Sequence, residues 1–123
     1  MRRIRAKDTS LEMVVRHLVH GLGYRYRLHS PKLPGKPDLV FSRLKKIIEV
    51  RGCFWHQHGK CSDSHIPKSR LGYWLPKLER NKSRDVANVR SLKALGFRLL
   101  IVWECEVNNR ERLTSKLGRF LRR

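Results

Sequence analysis

Acidic residues are scarce in this chain. Ten Asp and Glu stand against 29 Lys and Arg, a formal net charge of +19 and a pI near 11.1. A compact domain so basic repels itself unless a polyanion neutralises it, and nucleic acid is the natural partner. A ribosome-like or membrane-surface basic protein is the bland alternative. Cysteine is also rare, at three residues. An odd, small number disfavours a disulfide framework and leaves metal ligation in a reducing cytoplasm. No apolar run approaches a membrane span, and "MRRIRAKDTS" lacks the apolar core of a signal peptide. Internal repeats and linkers are missing too. What remains is 123 residues, 40% of them hydrophobic, which is enough for one core and one domain over 1–123.

The apolar periods give an order of elements. Thr9 and Glu12 have capping-box spacing. Leu11, Val14, Val15, Leu18, Val19 and Leu22 then recur at helical period until Gly21 and Gly23. "YRYRLH" (24–29) alternates like a half-buried strand, and "SPKLPGKP" (30–37) is a turn-rich connection. "DLVF" and "KKIIEVR" form a hairpin about Ser42 and Arg43. Residues 71–95 are mostly helical, with Val86, Val89, Leu92 and Leu95 on one face. "FRLLIVW" (97–103) reads as a strand buried on both faces, and Leu113, Leu117, Phe120 and Leu121 mark a last, basic helix. Helix, three strands, helix, strand, helix predicts an α/β domain with a mixed sheet and helices on both faces.

Three constellations carry chemistry. Asp38 opens one strand, while Glu49 and Arg51 share a face of the next because they are two residues apart. Two carboxylates meeting at a sheet end suit Mg²⁺, and a cation beside them suits a scissile phosphate. This is a PD-(D/E)xK pattern with Arg in the lysine slot; surface carboxylates at strand ends are the plain alternative. Cys53, His58, Cys61 and Cys105 form a Cys₃His set of the kind that closes a structural zinc site, against the alternative of buried thiols and an incidental histidine. Phe54 and Trp55, with Trp74, can wedge a base stack or fill a core. Trp103, inside a strand, belongs to the core. His56 is left to act as a base.

Taken together, "RIRAKDTSLE", "LPGKPDLVF", "GCFWHQHGKC", "GYWLPKLERNKSRD" and "LGFRLLIVWECEV" resemble the very short patch repair (Vsr) endonuclease family over most of the chain. The resemblance implies a restriction-endonuclease-like fold with catalytic Mg²⁺ and a structural Zn²⁺. It also implies nicking of double-stranded DNA 5′ of the thymine in a T·G mismatch, the lesion left when 5-methylcytosine deaminates. The family's metal aspartate falls on Asp38, its carbonyl contact on Val50, its general-base histidine on His56 and its helical glutamate on Glu12. Its zinc ligands fall on Cys53, His58, Cys61 and Cys105, and its wedge on Phe54, Trp55 and Trp74.

The match departs at Arg51, where the family has histidine, and at Glu49, where it is often apolar or aromatic. The spacing from His58 to Cys61 is one residue longer, and the chain begins where the family carries an N-terminal arm over the DNA. Glu49 is expected beside Asp38 as a further Mg²⁺ ligand, with Arg51 balancing phosphate charge. The expected setting is a monomer in the bacterial cytoplasm, associated with the nucleoid and linked to a cytosine-5 methyltransferase. Two other readings stand beside it: a restriction or defence nuclease that needs no mismatch, and a decayed DNA-binding module that keeps zinc and charge.

Overall fold

The computed structural model describes residues 10–53 and 69–123. The elements are α1 (Ser10–Gly21), β1 (Arg27–Leu28), β2 (Leu39–Phe41), β3 (Lys46–Arg51), α2 (Leu71–Ala94), β4 (Arg98–Trp103) and α3 (Arg110–Arg122). Their order is the one the apolar periods predict. Among the described residues no helix is long and apolar enough to cross a membrane.

The sheet runs β1-β2-β3-β4, antiparallel for the first two pairings and parallel for β3 with β4. The antiparallel turn after Phe41 is a short 3₁₀ segment, Ser42–Leu44, closed by Lys45 at φ 56°. The parallel step needs a crossover, and it contains α2. Gly23 and Gly96 end α1 and α2 at φ 93° and 92°. Each sits in a Schellman arrangement: Tyr24 N–H donates to Val19 O and Gly23 N–H to His20 O, and Phe97 with Gly96 repeat this on Leu92 and Lys93.

Helices cover both faces. Val15 and Val19 of α1 pack with Leu113, Leu117 and Leu121 of α3 over Leu39, Phe41, Ile48 and Val102. On the other face Leu92 and Phe97 meet Val40 and Ile47. Buried Lys46 locks α3 to the sheet: its Nζ donates to Phe120 O at 2.7 Å, Leu121 O at 3.0 Å and Arg123 O. A cation suits a helix C-terminus. Burial, with Arg98 nearby, lowers its pKa.

Two expectations need correction. The 24–29 strand shrinks to Arg27–Leu28, both exposed, while Tyr24 and Tyr26 turn their rings edge-on to Phe41 at 6.5 and 6.0 Å. And β4 is not buried on both faces. It lies at one edge of the four described strands, so only Val102 is fully buried, and Leu99, Leu100 and Ile101 are half-buried.

Candidate active site

Strand register assembles the site. The β1–β2 ladder pairs Leu28 with Leu39, and its next position sets His29 opposite Asp38, with His29 N–H donating to Asp38 O at 3.2 Å. The β2–β3 ladder pairs Leu39 with Ile48, so its next position sets Asp38 opposite Glu49. His29, Asp38 and Glu49 thus form a row across three strands at one end of the sheet.

Asp38 is fixed by the neighbouring strand, because Val50 N–H donates to its Oδ2 at 2.7 Å. Burial, reinforced by the Glu12 and Glu49 carboxylates, pushes its carboxyl from the ordinary 3.8 up to about 7, against the pull of that Val50 N–H. Glu12 enters from α1 and is only 3% exposed. Arg16, one turn on, donates to its Oε2, and His29 Nε2 lies 2.9 Å from its Oε1. The same Nε2 is 3.6 Å from Asp38 Oδ1. One ligand atom from each of Glu12, His29 and Asp38 falls within 4.8 Å of the others, a grouping able to hold a metal ion.

Glu49 has a different partner. Arg51 Nη2 donates to its Oε2 at 2.8 Å, and Arg51 Nη1 is 3.9 Å from Asp85 of α2. The buried guanidinium also lies 5.9 Å from the centre of the Trp103 ring. Its Nε has no acceptor among the described residues. Arg51 is therefore oriented through its terminal nitrogens.

A third grouping lies where β3 and β4 end. Every β3 residue pairs with the β4 residue 52 positions later, and Cys53 and Cys105 keep that offset. Cys53 is buried and Cys105 half-buried. Glu104 ties the two ends, its Oε1 accepting from Cys53 N–H at 3.2 Å. Two thiols on adjacent chain ends fit a soft divalent ion such as zinc. Their expected companions, His58 and Cys61, lie outside the described residues, as do His56, Phe54 and Trp55.

Trp74 stands in the first turns of α2, half-buried, with Tyr73 edge-on to it at 4.9 Å. Tyr73 is exposed and flanked by Arg70 and Lys77, at 4.6 and 4.9 Å from its ring centre. Lys77, Arg80, Asn81 and Arg84 line a shallow depression further along α2. Aromatic faces among basic side chains suit a nucleic-acid strand.

His29 is the member of the Glu12–His29–Asp38 grouping that sequence reading missed. Its only signal was a histidine next to a turn-rich stretch leading to Asp38, which no periodicity singles out.

A mixed four-stranded sheet between helices, with half-buried Asp38 at a strand end beside buried Glu12 of α1, fits the restriction-endonuclease-like class. The family model for DNA mismatch endonuclease Vsr matches residues 1–63. The chain is 46% identical to the type II nicking enzyme V.XorIIP of Xanthomonas oryzae pv. oryzae, over 98% of this chain and 88% of that protein. It is 39% identical to the type II nicking enzyme V.NmeAIP of Neisseria meningitidis serogroup A, over 99% and 86%. With the DNA mismatch endonuclease Vsr of Escherichia coli K12 it shares 40%, over 94% and 74%. The chain belongs to the DNA mismatch endonuclease Vsr family, and is a DNA endonuclease by that membership.

Proposed function

We propose that this protein nicks one strand of duplex DNA 5′ of the thymine in a T·G mismatch, using Mg²⁺ at Asp38 and a structural Zn²⁺ at Cys53, His58, Cys61 and Cys105. The observation that carries the reading is Asp38 itself, held by Val50 N–H at 2.7 Å with its carboxyl raised to about 7 beside Glu12. A carboxylate crowded by two others is relieved when a divalent cation replaces its proton. Hard oxygen donors fit Mg²⁺, and the Val50 carbonyl is assigned to the same ion. Bound there, Mg²⁺ would polarise the scissile phosphate and offset its developing charge.

The chain's own residues supply the rest. His56 takes the proton of the attacking water. Arg51, steered by Glu49 and Asp85, balances charge on the phosphate rather than leaving Glu49 to the metal. Phe54 and Trp55, with Trp74, open the stack at the mismatch, where opening costs least. The basic α2 surface follows the backbone. The lesion arises from methylated cytosine, so a cytosine-5 methyltransferase is the functional companion, and a monomer associated with the nucleoid is the working form.

A second reading keeps the same chemistry without the mismatch requirement, and it is favoured by Arg51 and Glu49, which depart from the family's residues at those positions. Nicking with Mg²⁺ on T·G-mismatched, G·C-paired and unrelated duplexes decides. Cutting confined to the T·G duplex is expected. Equal cutting of all three would move the protein to the second reading, and no cutting with DNA affinity retained would make it a binding module.

A further inference from the structure

We infer that His29 is a nitrogen ligand of the divalent-metal site, completing a set with Asp38 and Glu12 and shifting that site towards Mn²⁺-like cations. The inference deepens the nuclease reading and rests on it for the location of the metal.

Three observations converge. First, one nitrogen faces both carboxylates: His29 Nε2 is 2.9 Å from Glu12 Oε1 and 3.6 Å from Asp38 Oδ1. The longer distance exceeds a hydrogen bond, so Asp38 is not there to accept from the ring. Ligands at right angles about an ion, with bonds of about 2.1 Å, stand roughly 3 Å apart. The two distances bracket that value.

Second, His29 sits at φ 44°, the left-handed region that a residue with a side chain seldom occupies. Its backbone N–H is nevertheless tied to Asp38 O at 3.2 Å, so the unusual conformation is held by the ladder itself. Such strain persists where the surroundings fix it, and here it accompanies a ring directed at two carboxylates.

Third, Glu12 is only 3% exposed, with its Oε2 engaged by Arg16 and its Oε1 2.9 Å from His29 Nε2. Without metal, the Nε2 proton bridges to Glu12. When a cation enters, the ring takes its other neutral tautomer, giving up the Nε2 proton while Nδ1 gains one from solvent, so the Nε2 lone pair faces the ion and the ring stays neutral. Imidazole nitrogen favours Mn²⁺ over Mg²⁺, which prefers oxygen and water.

The experiment uses the full chain with Mn²⁺ alone, without DNA. Asn tolerates the left-handed conformation, so His29→Asn removes the nitrogen while sparing the backbone; His29→Gly serves if the first variant fails to fold. Pulsed electron paramagnetic resonance should show ¹⁴N coupling to bound Mn²⁺ in the parent and its loss in the variant. Titration should show Mn²⁺ affinity falling about tenfold or more, with Mg²⁺ affinity changing less. No nitrogen coupling in the parent overturns the inference whatever the variants do, and so does coupling that survives in His29→Asn or His29→Gly. Nicking assays on the same samples keep the two ideas apart. Nitrogen coupling without nicking on any duplex sinks the nuclease reading alone, and Mg²⁺-dependent nicking without coupling sinks only the role of His29.

Discussion

The two faces of the sheet are covered unequally. Over one, α1 and α3 bury Val15, Val19, Leu113 and Leu117 almost completely. Over the other, α2 buries Leu78 and Leu92, while Val86 and Leu95 remain 56% and 52% exposed. The α2 surface carries Lys77, Arg80 and Arg84, and its start carries Arg70 and exposed Tyr73. The first face holds the domain together, and the second is free to meet a polyanion. The candidate site row lies at the end of the sheet, with Glu12 supplied by the stable face and Asp85, beside Arg51, by the α2 face. Folding and binding are thus largely separable in this molecule.

The sharpest way to break that comparison is at Asp38. Asp38→Ala should lower nicking about a thousandfold or more, a barrier change of about 4 kcal/mol, with DNA affinity near that of the parent. Single-turnover nicking and filter binding measure the two; a proportional fall in both would join site and binding face. Next in size is the core. Leu117→Ala should cost about 2–5 kcal/mol in urea unfolding, whereas Val86→Ala on α2 should stay within about 0.5 kcal/mol. Comparable losses would show that the two faces share one core.

Asp38 also gives a pH signature smaller than either. Its folded pKa is raised from 3.8 to about 7, so its ionisation opposes folding: the stability present below about 4 is lost as pH rises towards 7. The full effect is at most about 4 kcal/mol, and partial exposure reduces it. Thermal melts without added Mg²⁺, in parent and Asp38→Asn, should converge at acid pH and separate in favour of the variant near pH 7. A constant difference across pH would remove the burial argument. The smallest change belongs to the α2 surface. Arg80→Ala with Arg84→Ala should weaken binding to all duplexes alike and flatten its salt dependence by about one to two in slope. A loss confined to mismatched DNA would make α2 a reader of the lesion instead.

Local pattern carried far in this chain. Helical and strand periods placed the seven described helices and strands in order, because apolar spacing follows directly from which face must be buried. They failed where neighbours matter. The 97–103 run is apolar enough for a central strand, yet β4 lies at an edge of those described, and the 24–29 alternation is cut to two residues once the tyrosines turn to Phe41. The candidate site divides similarly. Glu12 and Asp38, which the resemblance singles out, do come together in the fold, and Asp38 and Glu49 are set opposite each other across β2 and β3. Which charge each group meets was not legible. Glu49 is engaged by Arg51, and His29, 17 residues from Glu12 in the chain, faces it at 2.9 Å. Composition determined that the partner is a polyanion, and motif spacing determined the residue types available for cutting it. Only the tertiary structure decided the pairing, because register and a left-handed turn at His29 bring together atoms whose separation along the chain says nothing about their distance.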